Sequence, residues 1–141
     1  MISGADMVEP CAMEIEVTRD VIAAMRAAAI AAHPREACGI LTGGDRRITA
    51  LVETANVHTC PQANFEIDPQ ALIDTHRSAR EGCAQIIGYF HSHPTGAARP
   101  SQTDREMAAH DGKLWAIVAG DELMVWEDRE DGFRQVPYSV A

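Results

Sequence analysis

The spacing of apolar residues changes period several times along the chain, and each change marks an element. Met13 to Val17 alternates apolar and polar residues, the period of a half-buried strand. Thr18 then reads as a helix N-cap, with Asp20 in the first turn. Val21, Met25, Ala28, Ala29 and Ala32 recur at helical spacing, and the helix must stop before Pro34. Ala37 to Thr42 predicts a second strand and Ile48 to Val57 a third, paired as a hairpin across a Gly43-Gly44-Asp45 turn. Residues 58–67 are polar and contain Pro61, a loop composition. Asp68-Pro69 is a strong helix start, with Leu72 and Ile73 carrying the helix to about Arg80 before Gly82 stops it. Ala84 to Phe90 predicts a buried central strand. After a loop, Ser101 opens a third helix, expected to end near Asp111-Gly112. Leu114 to Ala119, Leu123 to Glu127 and Phe133 to Pro137 read as three closing strands, separated by glycine turns. The order β-α-β-β-α-β-α-β-β-β predicts a mixed sheet with helices packed on it, of α/β or α+β class.

Composition narrows this picture. A chain of 141 residues is sized for one domain that buries roughly two thirds of its unfolded surface. We expect that domain over 13–141, after a loose tail at 1–12. The tail has neither a basic start nor an apolar core, and no apolar stretch is long enough to span a bilayer. A cytoplasmic location is the expectation. Cys11, Cys38, Cys60 and Cys83 lack the paired spacing of a cysteine zinc site and read as thiols of a reducing compartment. The formal net charge of −9 argues against a nucleic-acid surface, which needs clustered Lys and Arg, and against anionic membranes.

The chemistry concentrates after the central strand. His91-Ser92-His93-Pro94 follows the apolar run Ile86 to Phe90. Alternating strand side chains put His91 and His93 on one face. A catalytic zinc site takes three protein ligands and leaves a position for water. His91, His93 and Asp104 supply that count. Ser101 and Asp104 also form S-x-x-D at a helix start, the capping box, and the two readings are compatible. Metal-assisted hydrolysis further needs a proton carrier outside the ligand set. Glu36, Glu53 and Glu66 are all candidates on this reasoning. His33, His58, His76 and His110 read as structural, His110 through its place near a helix C-terminus.

Glu36, a long gap, His91-Ser92-His93, seven residues, Ser101, two residues and Asp104 resemble the JAMM (MPN-plus) signature, E…H-[ST]-H-x7-S-x-x-D. The surrounding P-R-E-A-C-G-I-L, N-x8-F-x-I-D-P and I-G-Y-F-H-S-H-P resemble the short prokaryotic JAB branch, over roughly Met13 to Phe133. The resemblance implies a curved mixed sheet flanked by about three helices, in the cytidine-deaminase-like JAB/MPN architecture. It implies a zinc metallopeptidase with one Zn2+ per chain. His91, His93 and Asp104 would be the ligands, Glu36 the general acid/base and Ser101 a donor to the oxyanion. It implies a substrate bond at the C-terminus of a ubiquitin-like protein. The chain has no room for large insertions, which favours a small sulfur carrier with a Gly-Gly tail. The rival readings are a non-catalytic MPN-type scaffold and a JAMM hydrolase of an unrelated peptide.

Overall fold

The computed structural model describes residues 14–141; the expected tail at 1–12, and Met13, lie outside the described residues. Strand β1 is Ile15–Val17, with both apolar residues buried and Glu16 exposed. Thr18 caps helix α1, Arg19–Ala32, by accepting the Val21 N–H at 3.4 Å. The stripe Val21, Met25 and Ala28 is buried. Strands β2, Cys38–Gly44, and β3, Arg47–Thr54, form the expected hairpin. Its turn is displaced from expectation. Gly43 and Gly44 still belong to β2, and Asp45-Arg46 makes the turn, with φ of 52° and 63°. Two successive left-handed residues suit the twist of a hairpin. Strand β3 also stops before Val57. Asn56 Oδ1 accepts the backbone N–H groups of His58 and Glu66, both at 3.1 Å, and so ties the chain into a loop.

Helix α2, Pro69–Arg80, starts at the expected Asp68 cap, and Gly82 beyond its end takes a φ of 97°. Strand β4, Gln85–Ser92, runs past Phe90 to include His91. Helix α3, Gln102–Met107, is shorter than predicted. Buried Asp128 accepts the His110 N–H at 3.0 Å, and His110 itself has a φ of 57°. That bond draws residues 108–113 into a loop, so His110 does not sit at a helix C-terminus. The closing strands are β5, Leu114–Ala119, β6, Glu122–Arg129, and β7, Gly132–Val136. One more, β8 at Tyr138–Val140, was not expected. Three residues after a proline carry too little periodicity to show; they are held by parallel pairing with β1.

All the strands among the described residues join one eight-stranded mixed sheet in the order β7-β6-β5-β4-β2-β3-β1-β8. Its two edge strands, β7 and β8, are separated in sequence only by Pro137. A sheet whose opposite edges are one residue apart must curl until it nearly closes, and Tyr138 Oη accordingly donates to Leu123 O of β6 at 3.2 Å. Helix α1 covers the main core, with Met25, Leu41, Ile48, Phe90 and Val118 among its members. Helix α2 lies against a smaller one built on Cys38, Ile40, Ile67 and Ile86. The β2–β4 register shifts between Leu41 and Thr42, which leaves Ile87 as an extra residue in β4. A bulge inverts side-chain parity. Ile87 and Phe90 therefore join the α1 core, while Ile86 and Tyr89 pack under α2. His91 follows Tyr89 to the α2 side. Among the described residues no helix is long and apolar enough to cross a membrane.

Candidate metal centre

His91 is the penultimate residue of β4, and His93 lies just beyond it. Ser92 between them points the other way, and its Oγ accepts the Ala37 N–H at 2.8 Å. The two imidazoles meet the first turn of α3. His91 Nε2, His93 Nε2 and Asp104 Oδ2 form a triangle with every edge 3.1 Å. Donor atoms at the corners of a tetrahedron around zinc, each about 2.0–2.1 Å from it, lie about 3.3–3.4 Å apart. The triangle therefore fits a zinc-sized cation with little adjustment. All three residues are buried, His91 completely so. The pair is thus an interior feature and not a surface one.

The surroundings hold these groups in place. His93 Nδ1 lies 2.8 Å from Ala97 O, so its N–H donates there and leaves the Nε2 lone pair facing the triangle. Phe65 stacks on His91 with ring centroids 4.2 Å apart, and Trp115 meets it edge-on at 5.5 Å. Ser101 Oγ accepts the Asp104 N–H at 3.0 Å, and Asp104 Oδ2 accepts the Ser101 N–H at 2.9 Å. The capping box is thus present, and the same carboxylate oxygen faces both histidines.

Glu36 occupies the loop before β2, with its backbone fixed from three directions. Its N–H donates to Pro61 O at 2.7 Å, and its carbonyl accepts from Asn56 Nδ2 at 2.9 Å. The next residue is held by Ser92. The side chain is buried, and Oε1 has no hydrogen-bond partner among the described residues. Glu36, His91 and His93 can each place one donor atom within 4.8 Å of the others. The 3.1 Å triangle is tighter, so we take His91, His93 and Asp104 as the candidate ligands and Glu36 as their neighbour. Of the three glutamates, Glu53 and Glu66 are exposed and Glu36 is buried.

Electrostatics sharpen the division of labour. Burial, with a smaller push from Asp104 and against the pull of His93, raises the Glu36 carboxyl to about 7. Burial lowers His91, which keeps it neutral. Burial also acts to raise Asp104, but hydrogen bonds with both histidines outweigh it and hold the carboxyl well below the usual range. A neutral His91 beside an ionised Asp104 is ligand chemistry a divalent cation requires, whereas His93 is shifted up, burial being outweighed by its hydrogen bonds to Asp104 and Ala97 O and by the charges of Asp104 and Glu36.

None of the other histidines reaches the triangle. His58 Nδ1 accepts the Cys60 N–H at 2.9 Å, and His110 is held at Arg129 O. Cys38, Cys60 and Cys83 are free thiols outside it. Sequence reasoning gave no role to Phe65, Trp115 or Asn56. Phe65 and Asn56 did fall inside the N-x8-F pattern, which was the one available signal.

The profile of the family described as prokaryotic homologs of the JAB domain matches residues 18–131. A desampylase of Haloferax volcanii is 32% identical over 110 residues, covering 76% of this chain and 79% of that protein. A probable TtuB-protein conjugate cleaving protease of Thermus thermophilus is 31% identical over 88 residues, covering 62% of this chain and 59% of that one. The crystal structure of a JAB1/MPN domain protein from Archaeoglobus fulgidus superposes with a TM-score of 0.62 at 20% identity, over 91% of this chain and 97% of that chain, a likeness of fold. With its histidine pair and the acid of α3 converging on one point inside that fold, the chain belongs to the prokaryotic JAB-domain family.

Proposed function

We propose that this protein is a zinc-dependent peptidase or isopeptidase that hydrolyses the amide bond at the C-terminus of a ubiquitin-like or sulfur-carrier protein. The observation that carries it is the 3.1 Å triangle of His91, His93 and Asp104 with a buried, unpartnered Glu36 oxygen beside it. The two curated relatives support the substrate class, since one is named for cleaving protein conjugates and the other as a desampylase.

His91, His93 and Asp104 would hold one zinc ion per chain. Bound there, zinc supplies a water of lowered pKa and a Lewis acid for the scissile carbonyl. Glu36 takes the proton from the attacking water and passes it to the departing amine. Its elevated affinity for a proton, about 7, suits a group that must both accept and donate. Ser101 Oγ already accepts the Asp104 N–H, so its own proton is free to be donated to the carbonyl oxygen as charge develops there. Phe65 and Trp115 shield His91 from water. A Gly-Gly tail suits close approach of the backbone to the ligands, because glycine has no side chain to obstruct it.

The test is a Glu36→Gln variant assayed for metal and for turnover. Elemental analysis should find one zinc per chain, as in the unmodified protein. Hydrolysis of a Gly-Gly-linked conjugate should fall by at least about 10²-fold, the scale of a positioned general base. Near-normal turnover would remove Glu36 from the reaction. Zinc content unchanged in a His91→Ala, His93→Ala double variant would remove the ligand set.

A further inference from the structure

Glu36 stands between α1 and β2, outside any helix or strand. Neither of its backbone polar groups is bound by the sheet. The N–H donates to Pro61 O at 2.7 Å, and the carbonyl accepts from Asn56 Nδ2 at 2.9 Å. Both partners belong to the segment 55–68 that joins β3 to α2. The backbone of the buried glutamate is therefore held at this residue only as firmly as that segment is held.

Asn56 is what holds the segment. Its Nδ2 also donates to Asn64 O at 2.9 Å and lies 3.4 Å from Pro61 O, while its Oδ1 accepts the His58 and Glu66 N–H groups. Carbonyls on one side of the amide and N–H groups on the other fix which way it faces. The bonds to Asn64 O and from Glu66 N–H flank Phe65, the ring stacked on His91. One half-buried carboxamide thus binds the Glu36 backbone at one end and brackets the aromatic cover of a candidate ligand at the other. Asn56 lines none of the three clefts beside the triangle, so it does not meet a substrate lodged in them. The arrangement needs a donor and an acceptor on one short planar group. Aspartate has the same shape but only accepts when ionised, so it would keep the two N–H bonds and lose those to Glu36 O and Asn64 O.

Resting on the peptidase reading, we infer that Asn56 is a positioning residue whose amide holds Glu36 where its carboxyl reaches both the attacking water and the departing amine. Hydrolysis breaks the C–N bond; hydroxide goes to the acyl carbon and the proton travels through Glu36 to the nitrogen. One carboxyl serves two places in succession, and a displacement of about 1 Å costs about 10²-fold.

Asn56→Asp and Asn56→Ala are compared with the unmodified zinc-loaded protein on a Gly-Gly-linked conjugate. Both should hold one zinc per chain and keep KM within about twofold, while kcat falls about 10²-fold. Added to Glu36→Gln, either should cost less than about threefold more, because the group it positions is already gone. Gln70→Ala, an exposed side chain on α2, is the control and should keep full kcat. A second readout needs no substrate: exchange of the Glu36 amide proton should quicken about tenfold in both variants while that of Phe90 in β4 stays unchanged. Normal kcat in either variant, a loss that falls on KM instead, penalties that multiply with Glu36→Gln, or unchanged exchange at Glu36 overturns the inference. If one variant does not fold the other carries the test, and loss of the fold in both leaves Asn56 a structural residue, which also overturns it. The two proposals fail separately. No turnover by the unmodified zinc-loaded protein overturns the peptidase reading, and exchange at Glu36 then still decides whether Asn56 holds that backbone.

Discussion

Asp104 Oδ2 accepts the Ser101 N–H at 2.9 Å while lying 3.1 Å from both histidine Nε2 atoms. One oxygen therefore closes a capping box and completes the triangle, and Ser101 acquires two separable jobs. As a cap, Ser101→Ala should cost about 0.5–2 kcal/mol of stability. As an oxyanion donor it should cost about 10²-fold in kcat. Ser101→Asp keeps a good cap but places a charge where the oxyanion forms, so it should fold and be inactive. Thermal melts with single-turnover cleavage separate the effects; Ser101→Asp with normal turnover at equal zinc content leaves the serine as a cap only. Cys38 gives a second residue-scale test. Burial pushes its thiol up, against a hydrogen bond with Thr54, and it is 1% exposed. It should resist alkylation at neutral pH in the folded protein while Cys60 and Cys83 react, as peptide mass spectrometry would read. Rapid native labelling of Cys38 would contradict the burial. The triangle was legible in the sequence because a strand's two-residue period and a helix's first turn are local rules. Phe65 and Trp115 were not, because stacking on His91 depends on how β4, β5 and the loop meet.

At the scale of elements, β4 decides where the histidines face. Its bulge at Ile87 inverts side-chain parity midway along the strand. Without that extra residue, strict alternation from Ile86 would send His91 to the α1 side. The apolar run showed a strand but carried no sign of the bulge, since pairing to β2 creates it. Gly88 follows immediately, and a Cβ there would lie 2.0 Å from Leu114 O in β5. The obstruction is backbone, which cannot swing aside. Gly88→Ala should therefore cost about 1–3 kcal/mol, the scale of overpacking, and lower zinc content by displacing the end of β4. Gly44→Ala is the control, because nothing lies within 4 Å of a Cβ at that position. Urea denaturation compares them, and equal midpoints would show that β5 yields freely. The short α3 follows the same lesson. Residues 108–111 had helical composition, but buried Asp128, distant in sequence, takes the His110 N–H and ends the helix early.

For the whole molecule, the near-closed sheet and the α1 core stand apart from the triangle, which lies at the far end of β4 on the α2 side. Phe65 and Trp115 rather than the α1 core residues pack on His91. Helix α3, by contrast, has one buried residue, Asp104 itself. Metal would thus tie α3 and the 94–100 loop to a sheet that stands without it. Chelation should lower stability by the linkage term, about 2.7 kcal/mol when free zinc had been at a hundred times its Kd. Far-UV dichroism should barely change, because six residues of helix are all that loosen. Hydrogen exchange should rise in residues 94–107 and stay slow in β2, β4 and β5, where Ile40, Phe90 and Ile117 are fully buried. A cooperative loss of protection across the whole sheet on chelation would make the ion part of the core. The sequence could suggest candidate ligands but not this separation. The tie between β7 and β8 that curls the sheet runs through Pro137 and a strand of three residues, too short for any pattern to announce.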